Sequence, residues 1–457
     1  MAKRLAIIGA GISGLAAAHA ARSHNDTIEI VVLEKDSQVG GKARSLSFGD
    51  WRMEAGPTGF LDNEPILDRL IDAAGLTNQR LPANPSAAHR FLLRNGRLRE
   101  AHAHPLRFAA SGILGPLGLA RIAAEPFIPR HPAAEEESVF DFAARRLGTQ
   151  AAERLIAPMV LGVFAGDARR LSLAAAFPKL AALEQDHGSL IRGMVARRRS
   201  GKTEGGPAGP AGWLTSFKEG MQSLPLALAQ QGKFEVRTNS TVQTLERRGN
   251  QWHIALAGQE TLRADALILA TEPWAMAEML DTVHARIAEH LALIPCPAVS
   301  VVALGLPKAS AQGVPTGFGV LIPRAEGYRA LGCLWDSRLF PGRAPQQGLL
   351  MRLMYGGSVD PEIAEMDEQA LIALAQHEAT RLFGIEGPPM FAHAIRWPRA
   401  IPQYEIGHLE RVGGIEESLH NLPGLYLAGN GLYGIAFGRS AAAGYSAGEE
   451  AALYLAD

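Results

Sequence analysis

The chain has 457 residues, of which 47% are hydrophobic and 20% charged, so it has the composition of a globular protein with room for two or three domains of roughly 150 residues. Its formal net charge of −1 argues against nucleic acid as a partner, because no overall positive field would attract phosphates. Its two cysteines and 14 scattered histidines form no H-E-x-x-H or Cys/His cluster, which argues against a disulfide framework and against a metal site.

A glycine-rich turn follows the first predicted strand. The apolar run Leu5–Ile8 predicts a buried parallel strand, and the alanine-rich sequence after the turn predicts a helix. Between them, Gly9, Gly11 and Gly14 fit the pattern G-x-G-x-x-G. In that pattern the first glycine permits a tight turn, the second lets the backbone approach a pyrophosphate, and the third lets the helix pack against the strand. The helix N-terminus adds free N–H groups for the phosphates, so the stretch predicts a dinucleotide site.

The second predicted strand ends in an acidic residue. The segment TIEIVVLEK carries Glu34, placed where a carboxylate accepts hydrogen bonds from an adenosine ribose and repels a 2′-phosphate, which argues against NADP. The segments VGGKARS (Val39–Ser45) and EAGPTGF (Glu54–Phe60) follow, with Lys42 and Arg44 as two cations for a pyrophosphate. This continuation resembles the flavin amine oxidase superfamily rather than the NAD dehydrogenases. The resemblance implies non-covalently bound FAD.

The rest of the chain alternates helical and strand patterns. Residues from about 85 to 200 are mostly helical in pattern, and the glycine- and proline-rich segment Arg197–Gly212 predicts a loop. FKEGMQSLPLALAQQ predicts a helix, KFEVRTNSTVQTLERRGNQWHIAL predicts strands with turns, and ADALILAT predicts an apolar strand ending at Thr271. Residues from about 285 to 400 mix strands with one helix, DEQALIALAQHEATRLFG. The C-terminal LPGLYLAGNGLYGIAFGRSAAAGYSAGEEAALYL predicts a strand, a glycine turn and a long helix.

These elements predict an α/β protein with three parts. Because the FAD domain of the superfamily is assembled from separated segments, we expect a Rossmann-like FAD-binding domain from residues 1–84, 212–283 and 400–457. A helical, membrane-associating lobe takes residues 85–200, and a mixed-sheet substrate-binding domain takes residues 284–399. The C-terminal helix is expected to direct its N-terminus at the flavin, where its dipole stabilises the anionic reduced ring.

One apolar stretch raises the question of a membrane. FAASGILGPLGLARIAAEPFI (Phe108–Ile128) contains two charged residues and falls short of the roughly 18–20 uncharged residues that a membrane span requires. We interpret it as a pair of core helices with a turn at Gly115-Pro116. The alternative is a peripheral contact of the segment Pro105–Pro132 with the cytoplasmic face of a membrane. Both interpretations place the protein in the cytoplasm.

Several segments narrow the resemblance. APMVLGVFAGDARRLSLAAAFPKLAALEQDHGSLIRGM (Ala157–Met194), GFGVLIP (Gly317–Pro323), RWPRAIPQYEIGHLER (Arg396–Arg411) and LPGLYLAGN (Leu422–Asn430) are similar to the bacterial protoporphyrinogen oxidases over nearly the whole chain. The resemblance implies oxidation of protoporphyrinogen IX to protoporphyrin IX, with molecular oxygen as acceptor and hydrogen peroxide released. The porphyrinogen and oxygen are then the partners, with a homodimer as a further expectation.

The same resemblance implies five substrate contacts. Arg90 matches an arginine that pairs with a propionate, a role for which a bidentate guanidinium is suited. Gly162 matches a glycine whose carbonyl faces the pyrrole hydrogens, although from the sequence it can equally be a helix-terminating glycine. Leu321 and Leu334 match an aliphatic pair that sandwiches a ring, and Met354 matches a position filled by Met or Phe. From pattern alone these last three would be core residues, and Arg90 a solvated arginine at the start of a strand.

The resemblance implies no side chain acting as an acid or base, because in that family a hydride leaves a meso carbon for flavin N5. The cofactor-binding residues that the motifs and the resemblance predict are Gly9, Gly11, Ile12, Ser13, Gly14, Glu34, Lys35, Gly41, Lys42, Ala43, Arg44, Gly56, Pro57, Thr58, Gly59, Val242, Ala270, Thr271, Trp397, Gly429, Asn430, Gly434, Ile435 and Ala436.

The chain departs from the family where Arg439-Ser440-Ala441 replaces an Asp-Cys-Ile triplet. Arg439 could neutralise reduced flavin, bind a propionate or be exposed. A coproporphyrinogen III oxidase would need more basic pocket residues than Arg90, and an amine oxidase would place an aromatic pair before the flavin, of which only Tyr433 is evident. A carotenoid desaturase fits the mid-chain segments less well, and a flavin-binding protein without turnover would give no peroxide.

Overall fold

The computed structural model describes residues 3–130, 135–199 and 212–456, so most of the predicted loop at Arg197–Gly212 lies outside the described residues. The strands are β1 Arg4–Ile8, β2 Glu29–Leu33, β3 Ser45–Phe48, β4 Trp51–Glu54, β5 Phe60–Leu61, β6 Arg80–Pro82, β7 Arg90–Arg94, β8 Arg97–Glu100, β9 Leu214–Phe217, β10 Glu235–Arg237, β11 Val242–Arg248, β12 Gln251–Leu256, β13 Thr261–Ala264, β14 Ala266–Leu269, β15 Val299–Pro307, β16 Gly319–Leu321, β17 Gly332–Leu334, β18 Gly348–Gly356, β19 Phe391–Trp397 and β20 Leu425–Leu427.

The helices are α1 Ile12–His24, α2 Pro65–Ala73, α3 Pro105–Ala110, α4 Pro116–Ala123, α5 Val139–Leu147, α6 Thr149–Ala151, α7 Ala157–Phe164, α8 Leu173–Ala176, α9 Pro178–His187, α10 Leu190–Arg199, α11 Ser223–Gln231, α12 Pro273–Leu280, α13 Ala285–Ala292, α14 Asp336–Leu339, α15 Glu368–Phe383, α16 His408–Leu419 and α17 Phe437–Ala456. A π-helical turn, Ala152–Ile156, joins α6 to α7. The predicted α/β class is confirmed.

A five-stranded parallel sheet carries the glycine-rich turn. Its order is β10-β2-β1-β14-β20, and every neighbouring pair is parallel. The helices α1 and α17 pack together on one face of this sheet. They approach closely because α17 places Gly444 and Gly448 against the backbone of α1, where a Cβ at either glycine would lie under 3.0 Å from an α1 carbonyl oxygen. The small residues of the predicted C-terminal helix are therefore explained by its close packing against α1.

The opposite face of this sheet is covered by β11-β12-β13, α12, α13 and α16. Helix α13 packs against α12 and α16 and buries Ile287 and Leu291 in the apolar cluster that also contains side chains of β14. The sequence-based division assigned this helix to the substrate-binding range that begins at 284. It packs here instead, because its apolar residues recur at a helical spacing of four and form one stripe.

A seven-stranded sheet forms the second layer, with the order β19-β15-β18-β17-β16-β7-β8. Its strands pair antiparallel except for β16 and β7, which are parallel. Strands β7 and β8 come from residues 90–100, which were predicted to begin the helical lobe. They form a hairpin because Asn95 and Gly96 both adopt positive φ, the requirement of a tight turn of the Asn-Gly type. Phe91, Leu93 and Leu98 pack into the core of this sheet.

The helical region over this sheet differs from prediction at its first two helices. The turn predicted at Gly115-Pro116 is present, because α4 begins at Pro116. The interpretation as core helices is only partly right, since Ile113 and Leu114 between the helices are buried while Leu106 and Leu117 are 76% and 85% exposed. Throughout the described ranges, no helix combines the length and apolar character needed to cross a membrane.

Candidate functional site

The glycine-rich turn has the geometry of a phosphate-binding turn. Gly9 adopts φ +103°, and a Cβ at Gly14 would lie under 3.0 Å from the Gly9 carbonyl oxygen. At Gly11 an added Cβ would meet nothing within 4 Å, so open space faces the backbone there. Ser13 is buried, and its hydroxyl has no hydrogen-bond partner. Each glycine thus has the local environment that the motif requires, and a buried hydroxyl beside them is available to a ligand.

Glu34 lies at the carboxyl end of β2, beside this turn. It is 7% exposed, and its carboxylate accepts hydrogen bonds from Ala10 N (2.8 Å) and Asp36 N (2.9 Å). Among the described residues no cation pairs with it, so its remaining lone pairs suit ribose hydroxyls. Lys35 is exposed and lies 5.7 Å from the Trp274 ring. Val242 is half-buried and is the first residue of β11. Two residues earlier in the chain, the Ser240 N–H donates to the Glu34 carbonyl, which places the start of β11 near Glu34.

The second glycine segment lies directly against the first. Gly41 adopts φ +56°, and a Cβ there would lie 3.5 Å from the Gly11 Cα. Ala43 is buried, and the half-buried Arg44 has a buried Nε without an acceptor. Lys42 differs from the prediction of a second cation for the pyrophosphate. Its ammonium pairs with Glu272 at 2.6 Å and donates to the Ala400 carbonyl, so its charge is already compensated.

The ends of β14 and β20 complete the edge of the parallel sheet. Ala270 follows β14, and the buried hydroxyl of Thr271 has no partner. After β20, Gly429 adopts φ +117°, and a Cβ there would lie 3.1 Å from the Thr271 carbonyl oxygen. Ligands of open α/β sheets bind beyond the carboxyl ends of the strands, and this edge has that position. The two orphaned hydroxyls, of Ser13 and Thr271, therefore fit a phosphate-bearing cofactor.

The segment EAGPTGF connects this edge to the seven-stranded sheet. A Cβ at Gly56 or Gly59 would lie under 3.0 Å from a neighbouring carbonyl oxygen, so the segment, which includes Pro57, is closely packed. Trp397 at the end of β19 donates from Nε1 to the Ala55 carbonyl at 2.8 Å. The backbone of the segment is thus positioned by a side chain from the second layer.

Arg352 holds the same segment, and the sequence reasoning missed it. Its guanidinium is 2% exposed and pairs with Asp336 at 2.8 Å. It also donates to the carbonyls of Glu54 and Gly56 and to the hydroxyl of Thr58. The alternation of β18 could have placed Arg352 on the same face as Met354, but nothing in the sequence identifies its partners.

Tyr404 is a second missed residue. It is 3% exposed, and its hydroxyl donates to the Asn430 carbonyl at 2.6 Å and accepts from the Gly434 N–H at 2.7 Å. The C-terminal glycine turn that precedes α17 is therefore closed by one phenol. The turn leaves Ile435 half-buried and Ala436 exposed at the start of the helix. The motif W-P-x-x-I-P-Q-Y could have marked Tyr404, but its partners lie 26 and 30 residues away along the chain.

Two neighbours support Tyr404. Its ring stacks on His408 with 4.0 Å between centroids. Burial lowers the pKa of His408 to about 4, so its imidazole is neutral near pH 7. The adjacent Gln403 is 1% exposed and donates to the carbonyls of Phe164 and Ile401 at 2.8 Å. One short segment thus fixes both the C-terminal turn and the end of α7.

The seven-stranded sheet brings the predicted substrate residues onto one face. Across the strands, Arg90 pairs with Gly319, and Gly319 pairs with Leu334. Two positions further along, Leu321 pairs with Gly332, which pairs with Met354. Because directly paired residues and residues two apart share a face, all four side chains lie on the same side.

Helix α7 lies against this face at Leu321. A Cβ at Gly162 would lie under 3.0 Å from Leu321 Cδ2, so the glycine allows a close approach. The alternative prediction of a helix-terminating glycine is wrong, because α7 continues to Phe164 and the left-handed residue that ends it is Ala165, at φ +50°.

Arg90 sits at the edge of this face without an anion. Its guanidinium lies 4.9 Å from the Phe318 ring, and its buried Nε has no acceptor. Among the described residues no carboxylate pairs with it. Burial lowers the pKa of Arg90, but an arginine remains charged at physiological pH, so the site has an uncompensated positive charge.

Arg439, the departure from the family pattern, is 60% exposed and pairs with Glu64 at 3.5 Å. Of the three roles open from the sequence, the geometry fits exposure with a surface ion pair. A Cβ at Gly434 would lie 3.0 Å from Arg439 Cβ, so the side chain of Arg439 lies against the C-terminal glycine turn.

Comparison with known proteins is consistent with this arrangement. Residues 12–453 match the family described as flavin containing amine oxidoreductase. The chain belongs to this family. It is therefore a flavin-dependent oxidoreductase.

Among curated relatives, the chain is 29% identical to the coproporphyrinogen III oxidase of Bacillus subtilis, over 99% of this chain and 98% of that protein. It is 31% identical to protoporphyrinogen oxidase 2 of Arabidopsis thaliana, over 99% and 94%. Among solved structures, a candidate protoporphyrinogen oxidase from Exiguobacterium sp. 255-15 superposes with a TM-score of 0.87 at 23% identity, over 99% of both chains. At that identity the likeness shows the fold alone.

Proposed function

We propose that the protein oxidises protoporphyrinogen IX to protoporphyrin IX with FAD and molecular oxygen, releasing hydrogen peroxide. The observation that carries the proposal is the unpaired, half-buried guanidinium of Arg90 at the edge of an apolar face formed by Leu321, Leu334 and Met354. A porphyrinogen has the matching chemistry, because it is a broad apolar macrocycle with carboxylates at its edge. The names of the relatives support the same substrate class.

The chain's own residues supply binding and orientation. A flavin held at the edge of the parallel sheet would supply the hydride-accepting chemistry. Leu321 and Leu334 would bound the apolar ring, and Met354 would fill the adjacent position. The Gly162 carbonyl would face the pyrrole N–H groups, and Arg90 would pair with a propionate. No side chain is assigned as a general acid or base.

The cofactor is proposed to lie along the edge of the parallel sheet. Its adenosine would meet Glu34 and Val242, and its pyrophosphate would meet the Gly9–Gly14 turn and Arg44. The isoalloxazine would lie near Gly56–Gly59, where Arg352 fixes the backbone. The other predicted cofactor contacts are retained as proposals. The three-part domain division is also retained, with the 90–100 hairpin moved to the substrate-binding domain and α13 moved to the FAD-binding domain.

The proposal is tested anaerobically. Flavin-loaded protein is mixed with protoporphyrinogen IX and, separately, with coproporphyrinogen III, while the absorbance of oxidised flavin is followed. Fast bleaching by protoporphyrinogen is the expected result. Faster bleaching by coproporphyrinogen would replace the substrate with the one named for the Bacillus subtilis relative. No bleaching by either would overturn the proposal, and amines would be tried next.

We also propose that α3 and α4 contact the cytoplasmic face of a membrane. Leu106, Leu117 and Phe127 are 76%, 85% and 82% exposed, so three large apolar side chains project from one short region. Vesicle flotation should recover wild-type protein with the vesicles, and Leu117→Asp should reduce that recovery. Failure of wild-type protein to float at any lipid charge would overturn this part of the proposal and leave the enzymatic part intact.

A further inference from the structure

Three arginines in the described part of the chain share an unusual condition. Arg44, Arg90 and Arg99 each bury Nε without an acceptor, and among the described residues no guanidinium nitrogen of the three makes a hydrogen bond or an ion pair. Other arginines with a buried, unpaired Nε, such as Arg146 and Arg338, donate from their terminal nitrogens. A buried N–H of a charged group without an acceptor is costly, so this condition indicates a position that a ligand anion completes.

Two of the three arginines already have an expected anion. Arg44 lies in the segment predicted to meet a pyrophosphate, and Arg90 is the candidate for a propionate. Arg99 was assigned no role from the sequence or from the resemblance. Because Arg99 has the same unpaired, buried Nε, we expect a third anionic group to bind there.

The strand register places Arg99 beside Arg90. The Ala101 N–H donates to the Arg90 carbonyl, so Ala101 lies opposite Arg90 across the β7–β8 hairpin. Arg99 is two residues from Ala101 and lies opposite Leu92. Arg90 and Arg99 are therefore diagonal neighbours on one face of the hairpin, and the Cα atoms of such neighbours lie about 7–8 Å apart.

This face is the one that meets the helical region rather than the core of the sheet. Leu92 packs against Ile113 and Leu114, between α3 and α4. An added Cβ at Gly112 would lie 3.7 Å from Arg99 Nη1, so the guanidinium of Arg99 reaches the same connection. The carboxylate next in sequence, Glu100, points to the opposite face and pairs with His89 at 2.6 Å.

Two further arginines lie near Arg99. Arg94 lies on the same hairpin face, two residues beyond Leu92. Arg154 contacts the Ile113 carbonyl at 3.5 Å, and its pKa is lowered by burial and by Arg94. Each of these cations would be stabilised by an anion bound nearby.

We infer that Arg99 is a second substrate-binding residue, which pairs with a carboxylate next to the one held by Arg90. The substrate class is then a macrocycle that presents two neighbouring carboxylates on one edge. The inference rests on the proposed function, because it takes the porphyrinogen as the bearer of these carboxylates. A single carboxylate shared by both arginines would leave the site with an uncompensated charge.

The test uses full-length, flavin-loaded protein and two oxidised porphyrins, protoporphyrin IX and its dimethyl ester. Binding is measured by fluorescence for wild type, Arg90→Gln, Arg99→Gln and the control Arg97→Gln. Arg97 is on the same face of β8 but is exposed beside the turn. Since a hydrogen bond to a charged group contributes about 1.5–3 kcal/mol, Arg99→Gln should weaken binding of the free acid about tenfold or more.

The dimethyl ester distinguishes a direct contact between Arg99 and a carboxylate from a folding defect. Because the ester has no carboxylate, Arg99→Gln should change its binding less than about twofold, and Arg97→Gln should change neither ligand by more than that. Equal weakening of acid and ester would assign Arg99 to folding, and an equal loss in Arg97→Gln would assign the effect to long-range attraction. Either result, or unchanged binding of the acid by Arg99→Gln, overturns the inference.

Turnover distinguishes this inference from the proposed function. If wild type oxidises protoporphyrinogen and Arg99→Gln has the same KM, the inference fails and the function stands. If the protein binds porphyrins through Arg99 but oxidises no porphyrinogen, the inference stands and the function fails. Absence of any porphyrin binding overturns both. Arg99→Lys should restore part of the affinity, since an ammonium keeps the charge and loses the bidentate geometry.

Discussion

The cofactor edge and the substrate face of this protein are built by different means. Around Gly9, Gly41 and Gly429 the site is mostly backbone, with positive φ angles and neighbouring backbone atoms 2.8–3.5 Å from where a Cβ would stand. On the seven-stranded sheet the site is made of side chains, and Arg90, Leu334 and Met354 share a face only because of the strand register. A backbone site is specified locally, whereas a side-chain site is specified by pairing between distant segments.

The largest loss of flavin binding is expected at Gly14, where the backbone leaves no room for a side chain. Gly14→Val should abolish flavin binding, because even a Cβ at this position would lie under 3.0 Å from the Gly9 carbonyl oxygen. Flavin content after purification and the unfolding midpoint measure the loss. Gly413→Ala is the matched control, since a Cβ there meets nothing within 4 Å, and it should retain wild-type flavin content. Full flavin content in Gly14→Val would show that this turn is not the cofactor site.

This contrast explains what the sequence could predict. The G-x-G-x-x-G turn, Glu34 and the strand–turn–helix at the C-terminus follow from short patterns, and the structure has them where expected. The ion pair of Lys42 could not be predicted because its partner, Glu272, is 230 residues away. The residues around 90–100 were assigned to a helical lobe although Asn95-Gly96 is a local hairpin signal, so that error was avoidable.

The missed residues share a different cause. Arg352, Tyr404 and Arg99 are ordinary in their local sequence, and each matters because of what the fold places beside it. Arg352 reaches the carbonyl of Glu54, which lies 298 residues away. No pattern within a single segment carries that information, whereas the register of β16, β17 and β18 does.

A second prediction concerns Tyr404, whose hydroxyl closes the C-terminal glycine turn of the cofactor edge. Tyr404→Phe leaves the Asn430 carbonyl and the Gly434 N–H without their shared partner, at a cost of about 1–3 kcal/mol for each buried group. We expect flavin affinity to fall at least tenfold, measured by titrating the apoprotein with FAD.

The control is Tyr433→Phe, because the Tyr433 hydroxyl contacts Glu416 at 3.1 Å on an exposed part of the same turn. It should keep wild-type affinity. If both variants bind FAD equally, Tyr404 supports the fold without positioning the cofactor turn. A changed absorbance spectrum of bound flavin in Tyr404→Phe alone would be direct support, since a purely structural role leaves that spectrum unchanged.

A third prediction uses pH. Burial lowers the pKa of His408 to about 4, with a further lowering by Arg411 that the Leu432 carbonyl and Glu136 oppose. The unfolded value is near 6.5, so the folded state favours the neutral ring. Its contribution to stability is present above pH 6.5 and is lost as the pH falls towards 4, by about 2–3 kcal/mol.

His408→Phe should therefore flatten the fall in unfolding free energy between pH 7 and pH 4.5, measured by denaturant titration. The aromatic ring keeps the stack on Tyr404, which separates titration from packing. His420→Phe is the control at the other end of α16, because His420 is exposed just after the helix. An acid-induced loss in His408→Phe equal to that of wild type would show that other groups dominate this pH range.

The smallest effect is expected at Arg439, where the chain departs from its family. Its side chain packs against Gly434 of the C-terminal turn, but it is mostly exposed. Its pair with Glu64 spans 3.5 Å at 60% exposure, and such surface pairs contribute about 0–1 kcal/mol. Arg439→Ala should thus change the unfolding free energy by less than about 1 kcal/mol and leave the KM for protoporphyrinogen unchanged. A KM increase as large as that of Arg90→Gln would place Arg439 at the substrate instead. The side-chain site would then extend across the start of α17, and the division between a backbone-built cofactor edge and a side-chain-built substrate face would no longer hold.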